Sequence, residues 1–114
     1  VTAYAIAHIR PETMNEDILT YIETIQSTMD PFGGRFLVHG KKPEVLEGPF
    51  PSTVVMIGFP DIEAARTWYA SDAYQAILPL RTDHIAGEVI LVEGVPADYD
   101  ASKTAAALRA EAGL

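Results

Sequence analysis

Twice along this chain, a stretch in which large and small residues alternate gives way to one with apolar residues every three or four positions, and then alternation returns. A period that changes from 2 to 3.6 and back marks strand, helix, strand, and it restricts the chain to folds that lay helices on a sheet. From Thr2 to Ile9, Ala3, Ala5 and Ala7 fall on one side and Tyr4, Ile6 and His8 on the other. Small side chains suit a face on which helices press closely, so the larger set is predicted to point away from them.

Between Pro11 and Asp30, Ile18, Ile22, Ile25 and Met29 follow at spacings of four, three and four, the stripe of an amphipathic helix. Thr13 with Glu16 has capping-box spacing, Asn15 is a rival cap, and Pro31, Gly33 and Gly34 stop the helix. Arg35 to Gly40 reads as a second strand, and Lys41, Lys42 and Pro43 turn the chain into a short edge strand around Glu44 to Glu47. Thr53 to Phe59 is a β-favouring run, which Pro60 ends and Asp61 converts to a helix with Ala65, Trp68 and Tyr69 as its stripe. Ser71 caps a further helical stretch carrying Tyr74, Ile77 and Leu78, which Pro79 is expected to disturb before a last strand from Glu88 to Glu93. In the remainder, Ser102 reads as a cap for a tail helix with Ala105, Leu108 and Ala112 on one side.

Without the short edge piece, this order is the βαββαβ pattern of an α+β, ferredoxin-like split βαβ fold, with both helices on one face of an antiparallel sheet. The predicted organisation is one domain over residues 1–96 and a tail helix over 97–114. The other face would leave Tyr4, Ile6, Leu37 and alternate residues of the third strand in water, so a homodimer packed face to face is expected.

Sixteen acidic residues against eight basic ones give a formal charge of −8, which repels nucleic acid and anionic lipid surfaces. Neither nucleic acid nor membrane is therefore an expected partner. The absence of cysteine excludes disulfides, thiolate metal sites and a cysteine nucleophile, and with no apolar run of roughly 20 residues the expected compartment is cytoplasmic.

The residues Gly33-Gly34-Arg35-Phe36-Leu37-Val38, Val45-Leu46-Glu47-Gly48 and Phe59-Pro60 stand in the order seen in a known family, as do Ala64-Ala65-Arg66-Thr67-Trp68-Tyr69, Tyr74-Gln75, Leu80-Arg81 and Val92-Glu93-Gly94-Val95. Through them the chain, from the first strand to Val95, resembles the domain-of-unknown-function-1330 family. The resemblance implies a dimeric α/β-barrel in which two ferredoxin-like sheets enclose a cavity, and it implies no particular activity. Three places depart from the family pattern. Phe50 stands where tryptophan is usual, Thr53 where arginine is common, and His39-Gly40-Lys41 where Arg-Gly-Gly is common.

Alternation on the second strand puts Arg35, Leu37 and His39 on one face and Phe36 and Val38 on the other. With Phe36 and Val38 toward the helices, Arg35 and His39 would enter the barrel beside Tyr4 and His8, and Glu47 is near enough in sequence to approach them. An apolar cavity with a few convergent polar groups is the usual form of a small-molecule site. Histidine titrates near neutrality and arginine holds a carboxylate or enolate, so His39, Arg35 and His8 are the candidate catalytic set for proton abstraction beside a carbonyl. Tyr4, Glu47, Tyr74 and Arg81 are the candidate ligand contacts. An ion pair between Arg35 and Glu47, a packing role for Tyr74 and a helix-end role for Arg81 are the plainer alternatives. No His-x-His or H-E-x-x-H spacing supports a metal site, and Gly33-Gly34 precedes a strand where a phosphate loop would open a helix, so neither metal nor cofactor is expected. The functional expectation is a small organic ligand in the barrel, with either a cofactor-independent enzyme of proton transfer or oxygenation or a non-catalytic binding or structural dimer around it.

Overall fold

The computed structural model describes residues 1–10 and 13–114. Pro11, the expected opening of the first helical stretch, lies outside the described residues. The strands are β1 (Ala3–Ile9), β2 (Arg35–Lys41), β3 (Thr53–Phe59) and β4 (Gly87–Glu93), and the helices are α1 (Glu16–Met29), α2 (Ile62–Ala70), α3 (Asp72–Thr82) and α4 (Ala101–Ala112). The sheet is antiparallel in the order β2-β3-β1-β4, the ferredoxin-like arrangement. Ala3, Ala5 and Ala7 of β1 stand level with Phe59, Ile57 and Val55 of β3, and these form the face that the helices cover.

The start of α1 is set by Asn15, whose side chain accepts from the Ile18 amide at 2.9 Å, with Glu16 and Asp17 in the first turn complementing the helix dipole. Its buried stripe is Ile18, Tyr21, Ile25, Thr28 and Met29, so Tyr21 takes the inward position predicted for Ile22, which is exposed. Asp61 and Ser71 cap α2 and α3. Trp68, Phe59 and Met29 are the largest fully buried side chains, and the Trp68 indole donates to the Thr28 hydroxyl at 3.0 Å. Gly34 lets the chain pass this core, because a Cβ there would lie 2.6 Å from the Phe59 ring and 2.9 Å from Met29 Cβ.

Four expectations are corrected. No strand forms around Glu44 to Glu47, where prolines 43, 49 and 51 withhold ladder donors and Gly48 takes a φ of 73°. Pro79 does not interrupt α3, which runs on to Thr82 with the Pro79 carbonyl accepting from the Asp83 amide at 3.0 Å. Burial of Ile77 before Pro79 and of Arg81 after it holds both turns in place. The cap of α4 is Asp100, since its carboxylate accepts both the amide and the hydroxyl of Ser102 and is held below the usual carboxylate range by those bonds. The fourth correction concerns β2, where the register slips between Phe36 and Val38 and again between His39 and Lys41. Every residue of α4 is exposed. Among the described residues no helix is long and apolar enough to cross a membrane.

Candidate functional site

The slip in β2 decides which side chains can meet. Phe36 stands level with Ile57 and His39 with Val55, three residues on β2 against two on β3, so Phe36 and His39 share the helix-covered face. His39 therefore turns away from the barrel side where simple alternation puts it, and Val38, level with Met56, takes the outer face instead. The imidazole stacks on Phe36 with centroids 4.1 Å apart, and the partial burial that results lowers its pKa below the ordinary histidine value.

Beneath α1 and α3, His39 meets a group that comes from the helices. A crevice of about 60 Å³ and an adjoining cavity of about 260 Å³ share Ile9, Tyr21, His39, Val55 and Arg81 as walls. The crevice is backed by Ala5, Ile25, Ile57 and Trp68, and the larger cavity is also lined by Arg10, Met14 and Gly40. The Tyr21 and Tyr74 hydroxyls are 2.8 Å apart, and the Arg81 guanidinium carbon lies 5.6 Å from the Tyr21 ring centre. Burial, then the neighbouring Tyr74, pushes the Tyr21 phenol well above its usual range, against the opposing pull of Arg81, so it is a neutral hydroxyl at physiological pH.

Arg81 sits in the last turn of α3 and is 8% exposed. Burial opposes its charge, but Tyr21 and Tyr74 outweigh that effect and the guanidinium stays cationic. Among the described residues the ion pairs are Arg10 with Glu88, Arg66 with Glu63, and His84 with Asp17 at 2.9 Å, so none engages Arg81. The larger cavity therefore has a buried cation on its wall and, at its mouth, a histidine biased toward the neutral form.

The remaining predicted residues stand apart from this group. Tyr4 and Arg35 are level with Gly58 on the outer face and line one open concavity of about 340 Å³. His8 is level with Val54 at the other end of β3, packed edge-on against Phe50 at 4.8 Å. Glu47 is exposed beside Val45, Leu46 and Phe50, and the ion pair between Arg35 and Glu47 does not form. The fold thus brings together Tyr74, Arg81 and His39, joins Tyr4 to Arg35 elsewhere, and leaves His8 and Glu47 separate. Tyr21 is the member that the helical stripe missed. Its spacing of three from Ile18 and four from Ile25 was the signal. Among the described residues no group of three or more His, Cys, Asp or Glu side chains is placed to hold a metal ion.

Comparison with known proteins adds to this geometry. A family model described as a domain of unknown function (DUF1330) matches residues 2–95. A methylated protein called RPA0582 is similar to this chain at a TM-score of 0.65 with 14% identity, covering 86% of this chain and 84% of its own. A second structure of that protein, from Rhodopseudomonas palustris and of unknown function, matches at a TM-score of 0.63 with 15% identity over 83% of each chain. SnoaB, a cofactor-independent oxygenase from Streptomyces nogalater, matches at 0.58 with 11% identity, covering 87% of this chain and 98% of its own. A dimeric ferredoxin-like protein of unknown function from Jannaschia sp. CCS1 matches at 0.55 with 11% identity, covering 82% of this chain and all of its own. No curated protein matches the sequence. At these identities the likeness shows the fold alone.

Proposed function

This chain belongs to the DUF1330 family, and from that premise we propose that it works as a homodimer in which each subunit holds a small organic molecule between its sheet and helices α1 and α3. The observation that carries this reading is the meeting of Tyr21, His39 and Arg81 on the shared wall of two adjoining cavities whose other walls are mostly apolar. The larger, of about 260 Å³, approaches the ~300–1,000 Å³ of ordinary ligand pockets, and a few fixed polar groups in an apolar space are what orient a ligand. Chemistry there would fall to His39, which can accept a proton from an acidic C–H or O–H of the bound molecule at its imidazole. That would make the protein a cofactor-independent enzyme of proton transfer, or of oxygenation where the carbanion so formed reacts with dioxygen, and without such a step it is a binding module using the same cavity.

Dimerisation is supported by the outer face of the sheet, where Ile90 and Val92 are 54% and 42% exposed and Leu37 is 43% exposed. Apolar area of that extent is normally covered by a partner, and a second copy supplies a matching face through a two-fold axis. A second reading places the ligand between the two sheets, supported by the concavity that Tyr4 and Arg35 line together.

A fragment screen followed by amide chemical-shift mapping separates the two. The proposal expects the shifts to gather at Ile25, Val55 and Tyr74, and expects Val55→Phe, which fills the cavity, to abolish them. Shifts confined to Tyr4, Arg35 and Gly58 would overturn it in favour of the space between sheets.

A further inference from the structure

The cavity beneath α1 and α3 carries one charge that no described carboxylate answers. Buried arginines are normally answered by a carboxylate, because an unanswered guanidinium in a low-dielectric site loses its hydration for nothing. Arg81 is 8% exposed, and among the described residues no carboxylate lies within ion-pair distance of it. The described buried polar side-chain atoms all have a hydrogen-bond partner, and the groups that meet Arg81, the neutral phenols of Tyr21 and Tyr74, supply no countercharge.

Two phenols contribute two hydroxyl hydrogens, and the 2.8 Å bond between Tyr21 and Tyr74 uses one of them. Arg81 lies beside both hydroxyls and can only donate to them, so one O–H of the pair keeps its hydrogen for a further acceptor. A planar guanidinium fork with a neighbouring hydroxyl matches two oxygens on one carbon. The other cation on the cavity wall, Arg10, is already held by Glu88, so a single positive charge is on offer. A chain with a formal charge of −8 also repels polyanions before they reach the mouth. Beyond the polar corner the walls are mostly hydrocarbon and aromatic, with Ile25, Ile57 and Trp68 lining the crevice.

We infer that the ligand is a monocarboxylate with an apolar body, its carboxylate held by Arg81 and the Tyr21–Tyr74 pair and its hydrocarbon lying against Ile9 and Val55. The inference rests on the cavity proposed above as the ligand site, and it names the chemical class that this cavity takes.

Trp68 is the single tryptophan of the chain and lines the crevice that adjoins the larger cavity, so its fluorescence reports occupancy. Three acid–amide pairs serve as probes at pH 7.5: benzoate, hexanoate and 4-phenylbutanoate, each against its primary amide, with inorganic phosphate as the polyanion. The expected result is saturable quenching by at least one acid, binding at least about tenfold weaker for its amide, and no response to phosphate. In Arg81→Gln the acid should bind no better than its amide, and in Arg81→Lys part of the difference should return. The wild-type acid–amide comparison holds even where a variant fails to fold. Amides that bind as tightly as acids would overturn the carboxylate assignment and leave the cavity reading standing. Failure of all six organic probes to perturb Trp68 would overturn both.

Discussion

The imidazole of His39 lies over the ring of Phe36, with centroids 4.1 Å apart and planes 11° from parallel. Residues three apart on a regular strand point to opposite faces, so the stack exists only because the register slips between Phe36 and Val38. Partial burial lowers the pKa of His39 from its ordinary 6.5. As pH falls through about 6.5, the unfolded chain takes up a proton that the folded chain resists. The stability involved is fully present above the unfolded value and is lost as pH drops from there to the lower folded value. Phe36→Ala should return the pKa of His39, followed by NMR, toward the ordinary value, and His39→Gln should flatten the fall in urea midpoint between pH 7.5 and 5.5. An unmoved pKa in Phe36→Ala would place the cause outside the stack.

Much of this architecture was legible in the sequence because each signal was local. The alanines of β1, the caps at Asp61 and Ser71 and the run from Thr53 to Phe59 announce themselves within a few residues, and the structure has them as predicted. The face assignments of His39 and Val38 were not legible, because a one-residue slip in pairing reverses every later side chain and depends on how β2 meets β3. Arg81 and Tyr74 were among the predicted ligand contacts, but the bond from Tyr74 to Tyr21 across 53 residues of sequence, with Arg81 over the Tyr21 ring, is a tertiary event. The short strand around Glu44 to Glu47 failed for a readable reason, as its flanking prolines and Gly48 argue against any ladder.

The phenols of Tyr21 and Tyr74 share a hydrogen bond in a buried site. Replacing either by phenylalanine leaves the other short of a partner and should lower stability by about 1–2 kcal/mol in urea denaturation. The double variant should cost little more than either single one, because the second substitution removes a group already unsatisfied. Additive losses would mean that the two hydroxyls are held independently.

Gly34 passes so close to Phe59 and Met29 that no side chain fits. Gly34→Ala should destabilise the fold by about 1–3 kcal/mol through forced displacement of fully buried groups, measured as a lower urea midpoint with the same slope. Gly40→Ala meets open space but sits at a φ of 67°, so it should cost less, roughly 1 kcal/mol, from backbone strain alone. The reverse order of losses would contradict the packing around Gly34.

The outer sheet face gives the quaternary prediction. Ile90→Lys combined with Leu37→Lys puts two charges on that face while leaving the helix-covered core untouched. The wild-type protein should sediment as a dimer at micromolar concentration and the double variant as a folded monomer. A wild-type monomer at millimolar concentration would remove the expected barrel.

The site itself is tested most directly by a high-resolution crystal structure of the protein grown with 4-phenylbutanoate. Density is expected beneath α1 and α3, with the carboxylate within hydrogen-bonding distance of Arg81 and the ring against Val55. Density between the sheets against Tyr4 and Arg35, with the space beside Arg81 filled by the protein's own side chains, would contradict this placement.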